Sequence, residues 1–186
     1  MKRFLKNFND LKLLLLDVDG VLTNGLKYYD ETGYCKLKTF SDIDFTAIKR
    51  FRSSDVQVAW ISGDKTINEM IAKNRNIPFW YTRGKDKMEF LPEILNKLKL
   101  NKSDLVAFMG DDLFDLNIMK NVSFSFCPNN SCQTVVDYCK QNNTSIVLER
   151  PQGKGCVDEL YSIFIENGGY YAEMEKVYAL DKNEKF

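Results

Sequence analysis

Three short apolar runs, each closing on a polar turn, set the strongest limit on how this chain can fold. Leu13-Leu14-Leu15-Leu16 ends at Asp17-Val18-Asp19-Gly20, and Val56-Gln57-Val58-Ala59-Trp60-Ile61 ends at Ser62-Gly63. Leu105-Val106-Ala107-Phe108-Met109 ends at Gly110-Asp111-Asp112, with Asp115 shortly beyond. Runs of this length, bounded by turns and followed by helical periodicity, read as parallel strands buried on both faces. In open α/β sheets the ligand crevice lies outside the carboxyl ends of the strands. One sheet edge would then collect a carboxylate pair, a hydroxyl and a second carboxylate cluster. Asp17 and Asp19, two residues apart in extended chain, point the same way. They suit a divalent cation and, through it, a phosphate. Each piece has a plainer reading. Asp-Gly and Ser-Gly after apolar runs are common turns, and Asp111, Asp112 and Asp115 are acids of the kind favoured at a helix N-terminus. The meeting of all three at one edge is what favours catalysis.

Alternation continues along the chain without repeats or low-complexity tracts. Leu11–Leu16 is the first strand. Segments 26–29 and 34–40, joined by Asp30-Glu31-Thr32-Gly33, predict a β-hairpin flap over about 26–40. Helices are expected at 45–53 with Asp44 as N-cap, and at 66–74, 87–98, 113–120, 132–140 and 157–167. Further strands are expected at 77–81, 123–126 and 145–148. The fold class is therefore α/β, a mostly parallel central sheet with helices on both faces and no large cap insertion. Residues 1–167 form one domain, and the shift to Gly-Gly-Tyr-Tyr and then charged residues predicts a tail over 168–186. Phe4, Phe8, Trp60, Phe79 and Trp80 are read as core or interface.

Composition narrows the function. Twenty-six basic and 26 acidic residues cancel among 186, so no general attraction to nucleic acid or an anionic membrane is expected. No apolar stretch approaches the roughly 20 residues of a membrane span. The charged first ten residues lack the apolar centre of a signal peptide. Five cysteines without a Cys-x-x-Cys pair suggest thiols in a reducing, cytoplasmic setting. Histidine is absent, which removes Ser-His-Asp and Cys-His chemistry, histidine phosphatases and His-based zinc sites together. No cysteine has the arginine six positions downstream of a cysteine phosphatase, and no P-loop is present.

Asp17-Val18-Asp19-Gly20-Val21-Leu22-Thr23, Ser62-Gly63, Lys87 and Gly110-Asp111-Asp112-x-x-Asp115 resemble, in order, the four motifs of the haloacid dehalogenase (HAD) phosphatases. The hairpin, Lys38-Thr39-Phe40, Asp44, Asp86-Lys87 and Gly153-Lys154-Gly155 bring the chain closer to one cap-less branch, the 3-deoxy-D-manno-octulosonate 8-phosphate and related sugar-acid phosphatases. The resemblance covers roughly residues 10 to 167 and implies a Rossmann-like HAD fold. It implies Asp17 as nucleophile through an aspartyl-phosphate, and Asp19 as general acid and base. It also implies Mg²⁺ at Asp17, Asp19 and Asp111 with the Val18 carbonyl, and Asp115 and Asp112 as braces behind them. Ser62, Gly63, Lys87 and Asp44 would meet phosphate or substrate, with Ser62 and Lys87 also assisting transfer.

The recognition half departs from the branch. The usual Thr-Gly-Arg reads Ser62-Gly63-Asp64, a second arginine falls near Ile71 or Ala72, and Asn-x-Arg-Asp-Gly reads Ser41-Asp42-Ile43-Asp44-Phe45. Asp64 is expected to repel a sugar-acid carboxylate, and Lys73, Arg75 or Arg83 are the candidates to compensate. The expected substrate is a small phosphorylated sugar or sugar acid of octulosonate or nonulosonate type. Two other readings stand beside hydrolysis: a weakly active assembly module of the kind associated with acylneuraminate cytidylyltransferases, and a HAD phosphotransferase or phosphomutase. The resemblance also implies a homotetramer in which apolar hairpins pair and neighbours cover each other's sites.

Overall fold

The computed structural model describes residues 5–185; the expectations for Phe4 and for the first four residues lie outside that range. Six parallel strands form one sheet in the order β5-β4-β1-β6-β7-β8. They are β1 (Leu11–Leu16), β4 (Gln57–Ser62), β5 (Phe79–Tyr81), β6 (Leu105–Met109), β7 (Phe124–Cys127) and β8 (Ser145–Val147). The three apolar runs are the three central strands, and Leu16 of β1 lies opposite both Trp60 and Met109. The chains leaving them therefore emerge side by side.

Four consecutive leucines make sense only in a strand covered twice. Leu14 and Leu16 pack with Trp60 and Met109 against α1 (Asp42–Ser53) and α6 (Cys156–Glu166). Leu13 and Leu15 pack with Ile61 and Phe108 on the other face, against α3 (Leu91–Lys97), α4 (Leu116–Asn121) and α5 (Gln133–Gln141). All four are fully buried, each contributing roughly 2 kcal/mol of transfer free energy. The flap is a separate two-stranded ribbon of β2 (Tyr28–Tyr29) and β3 (Cys35–Leu37). Its turn is set by Asp30, whose carboxylate accepts from the Thr32 and Tyr34 amides. Phe40, where the flap rejoins the domain, stacks on Phe45 and Trp60. No disulfide links the five cysteines.

Three expectations are corrected. The first concerns Asp44. Helix α1 starts earlier than expected, with Ser41 at its N-cap. Asp44 sits in the first turn, fully buried, and turns away from its own helix. Its carboxylate accepts from the Gly155, Val157 and Asp158 amides at 3.0, 2.8 and 3.3 Å. Helix α6 follows Gly155 in the left-handed region and has no capping side chain of its own, so its orphan amides are satisfied from α1 instead. Burial pushes the Asp44 carboxyl up, against the pull of those three amides. Asp44 is a brace between helices and not a substrate contact. Asp44→Ala is expected to cost about 2 kcal/mol or more in urea unfolding, with no selective rise in KM.

The second is that the helices expected at 87–98 and 113–120 are each split. A 3-10 turn, Lys87–Phe90 or Leu113–Asp115, precedes α3 or α4. Asp86 and Asp112 cap these turns by accepting the Met88 and Leu113 amides. The third is the C-terminal stretch, which is no plain tail. It forms α7 (Met174–Lys182), packed on α1. Val177 is its one buried apolar residue among those described. Lys49 pairs with Asp181 and Glu184, and Arg75 pairs with Glu184, which is almost fully covered. Ion pairs to distant elements carry no helical period, so the composition alone read as a tail.

Candidate active site

Asp17, directly after β1, donates its amide to the Met109 carbonyl, which ties the first motif to the strand that delivers Asp111. The carboxylate of Asp17 lies 2.9 Å from the Lys87 ammonium, which in turn lies 2.6 Å from Asp115. Lys87 is buried because the Asp86-capped turn points it inward from the start of the α3 region. Asp115 has no exposure, and its other oxygen accepts the Asp111 and Asp112 amides at 3.0 and 3.2 Å. Asp115 thus fixes the loop that carries Asp111. Asp112 caps the same turn and lines the opening.

The site needs its glycines. Gly20 has φ +88°, and a Cβ there would stand 2.1 Å from the Asp111 carboxylate. Only a residue without a side chain lets the two motifs close on each other. Gly153, also at positive φ, lies so close to Thr23 and Asn24 that a Cβ would meet their backbone at 2.7 Å. That contact lets Gln152 reach in and donate to Asp111 Oδ2 at 3.1 Å.

Three carboxylates, Asp17, Asp111 and Asp115, bring one oxygen each within 4.8 Å of one another. One ammonium faces them. Burial pushes Asp17 up to about 7, overcoming the attraction of Lys87, with Asp115 adding repulsion. Burial and the charges of Asp17 and Asp115 push Asp111 up to about 8. Lys87 is pushed above its ordinary value, because its two carboxylate partners outweigh the cost of burial. The cluster is short of positive charge, and Asp111 Oδ1 is buried without a hydrogen-bond partner. An orphaned carboxylate oxygen beside a second carboxylate fits a hard divalent cation with oxygen ligands. Asp17 and Asp111 are the residues placed to hold one. Both Asp115 oxygens are already engaged, so it serves from behind.

Two expected ligands are corrected. The Val18 carbonyl accepts the Val21, Leu22 and Thr23 amides inside the turn, so it is not directed at a metal. The Asp19 carboxylate points instead to Lys38, at 2.7 Å, and to Asn68.

The charge pattern gives a testable sign. Unfolded carboxyls release their protons near pH 4, whereas folded Asp17 and Asp111 hold theirs to about 7 and about 8. The metal-free fold binds more protons across that window, so its stability falls as pH rises through it. A cation competing with those protons then stabilises most at the alkaline end. Saturating Mg²⁺ is expected to add about 2–3 kcal/mol, or roughly 5–10 °C in Tm, in the pH 8–9 range, and much less near pH 6. A thermal shift series checks this, and equal shifts at both pH values would contradict it.

A cavity of about 480 Å³ opens over the cluster, lined by Asp17, Asp19, Ser62, Gly63, Thr82, Lys87 and Asp111, with the exposed Arg83, Lys85 and Phe114 toward its rim. Ser62 is buried and its hydroxyl oxygen accepts from Asn68 and from the Asp64 amide, which leaves its proton free to donate. Asp17, Asp19, Ser62, Gly63, Lys87, Asp111, Asp112 and Asp115 all line this cavity, whereas Asp44 does not. Asp64 is not a bare charge. Lys27 and Lys38 each lie 2.8 Å from it, and these pairings hold its carboxyl down at about 2 against the effect of burial. The repulsion expected of Asp64 is therefore balanced within the protein. Of the three basic residues expected to compensate, Arg83 lines the cavity, whereas Arg75 is engaged with Glu184 and packs over the Phe45 ring. Lys27, Asn68 and Gln152 are site residues that sequence reasoning missed. None lies in a motif, and their only signal is that the fold brings them there.

A parallel sheet with a carboxylate pair after its first strand, a hydroxyl after the next and a lysine-braced acid cluster after another defines the HAD class. No protein-family model matches the chain. It is 36% identical over 117 residues to the 3-deoxy-D-manno-octulosonate 8-phosphate phosphatase of Escherichia coli K12. That match covers 62% of this chain and 61% of that enzyme, so the chain spans about three fifths of the curated relatives it matches. A crystal structure of a "probable yrbi family phosphatase" from Pseudomonas syringae pv. phaseolica superimposes with a TM-score of 0.77 and 30% identity, over 95% of this chain and 96% of that one. The octulosonate 8-phosphate phosphatase of Moraxella catarrhalis, solved with magnesium, phosphate and the sugar acid, superimposes with a TM-score of 0.73 and 25% identity, over 87% and 90% of the two chains. The chain belongs to the YrbI phosphatase family of the haloacid dehalogenase superfamily. Among the described residues no helix is long and apolar enough to cross a membrane.

Proposed function

We propose that the chain hydrolyses the phosphate monoester of a sugar acid, of octulosonate or nonulosonate type, with Mg²⁺ and through an aspartyl-phosphate. The observation that carries this reading is the pairing of Asp17 with Lys87 beside Asp111, whose buried oxygen lacks a partner. In the first step a carboxylate oxygen of Asp17 bonds to phosphorus as the ester P–O bond breaks, and Asp19 gives its proton to the departing alkoxide. In the second, water attacks phosphorus and passes a proton to Asp19. The P–O bond to Asp17 breaks and phosphate leaves. Lys87 and the Ser62 hydroxyl are placed to meet charge on the phosphoryl oxygens. A bound divalent cation would neutralise that charge further and orient the ester.

Arg83 and Lys85 at the rim supply the positive charge that a sugar-acid carboxylate needs. The flap supports assembly: Leu26, Tyr28, Tyr29, Tyr34 and Leu37 are each more than half exposed. That is more apolar surface than a lone two-stranded ribbon carries comfortably in water, and a homotetramer with paired flaps would cover it. The test is phosphate release from a panel of sugar and sugar-acid phosphates, octulosonate 8-phosphate included, with and without Mg²⁺. Metal-dependent release selective for sugar-acid esters is expected. A panel with no release above the metal-free control would overturn the reading.

A further inference from the structure

Two buried polar side chains near the cavity have no part in the steps above. Lys38 leaves the flap just before Phe40, and its side chain is 1% exposed. Asn68, in the first half of α2 (Thr66–Asn74), is fully buried. Neither position is cheap for a polar group unless every donor and acceptor is used. Here they are used on one another and on Asp19. The Lys38 ammonium reaches Asp19 Oδ1 at 2.7 Å, Asp64 Oδ2 at 2.8 Å and Asn68 Oδ1 at 2.9 Å. Asn68 Nδ2 donates to Asp19 Oδ2 at 2.9 Å and to Ser62 Oγ at 3.1 Å.

Asp19 needs such a frame more than Asp17 does. Asp17 continues a strand and is tied to β6, whereas Asp19 sits within the turn that runs on to Leu22. Its other polar contacts are long, a Thr23 hydroxyl donating at 3.5 Å and the Lys27 ammonium at 3.9 Å. Without Lys38 and Asn68 the carboxyl would be free to rotate away from the cavity.

We propose that Lys38 and Asn68 are positioning residues for Asp19, with Asp64 clamping Lys38, so that the Asp19 carboxyl is aimed at the ester oxygen of the substrate. Asp64 then belongs to the machinery that delivers the proton, and the flap that supplies Lys38 is coupled to chemistry as well as to surface. The inference rests on the hydrolase reading above. A displacement of about 1 Å in a reacting group can cost on the order of 100-fold in rate.

Leaving-group dependence separates aim from general damage. An alkoxide departs only with a proton, whereas nitrophenolate departs without one. Turnover of octulosonate 8-phosphate and of p-nitrophenyl phosphate is measured with saturating Mg²⁺ for Lys38→Met and Asn68→Ala. The ratio of alkyl to aryl kcat is expected to fall roughly 30- to 100-fold in each. Placed on an Asp19→Asn background, Lys38→Met is expected to change that ratio no further, because the residue it acts through is already disabled. If Lys38→Met fails to fold, Asn68→Ala carries the test from the opposite side of the carboxyl. Equal losses on both esters, with the ratio unmoved, would overturn the positioning role while leaving the hydrolase reading intact. A wild-type protein that releases phosphate from p-nitrophenyl phosphate and from every ester of the sugar-acid panel no faster than the metal-free control would overturn both, before any variant is made.

Discussion

Asp17→Asn is expected to lower turnover by at least about 10⁴-fold, since removing a covalent nucleophile leaves only binding and electrostatic assistance. The fold should survive. Asp17 lies buried beside Asp111 and Asp115, and its charge is already disfavoured enough to push its carboxyl up to about 7. An uncharged amide of the same shape removes repulsion from the cluster, while Lys87 keeps its contact with Asp115. The metal-free variant should therefore melt no lower than wild type at pH 8, with unchanged circular dichroism. Retention of a tenth of wild-type activity would show that another group attacks phosphorus.

Lys87→Met is expected to damage stability and activity together. The ammonium is buried between Asp17 and Asp115 at 2.9 and 2.6 Å. Its removal strands carboxylates that have no other cation within the cluster, a change that typically costs about 3–5 kcal/mol. Loss of its charge from the transferring phosphoryl group should cost a further ~10²–10³ in kcat. Chemical unfolding without metal reads the first effect, and turnover at saturating Mg²⁺ reads the second. In the double variant with Asp17→Asn, part of the stability should return, because one of the stranded charges is gone. A metal-free Lys87→Met protein as stable as wild type would mean the lysine does not neutralise this cluster.

What the sequence made legible was what is local. The runs ending at Asp17, Ser62 and Asp111 announced parallel strands because burial on both faces demands unbroken apolar residues. Their order then placed the acids at one edge. Asp115 and Lys87 were readable from the order of the motifs, each lying within a turn capped by a nearby aspartate. The sequence concealed what depends on distant partners. Asp44 has the residue type and place of an N-cap, yet it caps a helix more than a hundred residues away. Asp64 looked like a repulsive charge because nothing nearby in sequence shows Lys27 and Lys38 folding over it. The 168–186 stretch lacked an apolar stripe: α7 buries only Val177 among the described residues, and Lys49 of α1 and Arg75 at the end of α2 pair with Asp181 and with Glu184 just beyond the helix. Asn68 and Gln152 carried no signal beyond being polar.

The central claim is that Asp17 takes the phosphoryl group. Enzyme mixed with octulosonate 8-phosphate and Mg²⁺, quenched in acid within a single turnover and digested, can be mapped by mass spectrometry. A phosphoryl group on the peptide carrying Asp17, absent from Asp17→Asn, is the predicted result. Phosphate release with no phosphoryl-enzyme at any quench time, or with the group on another residue, would contradict it.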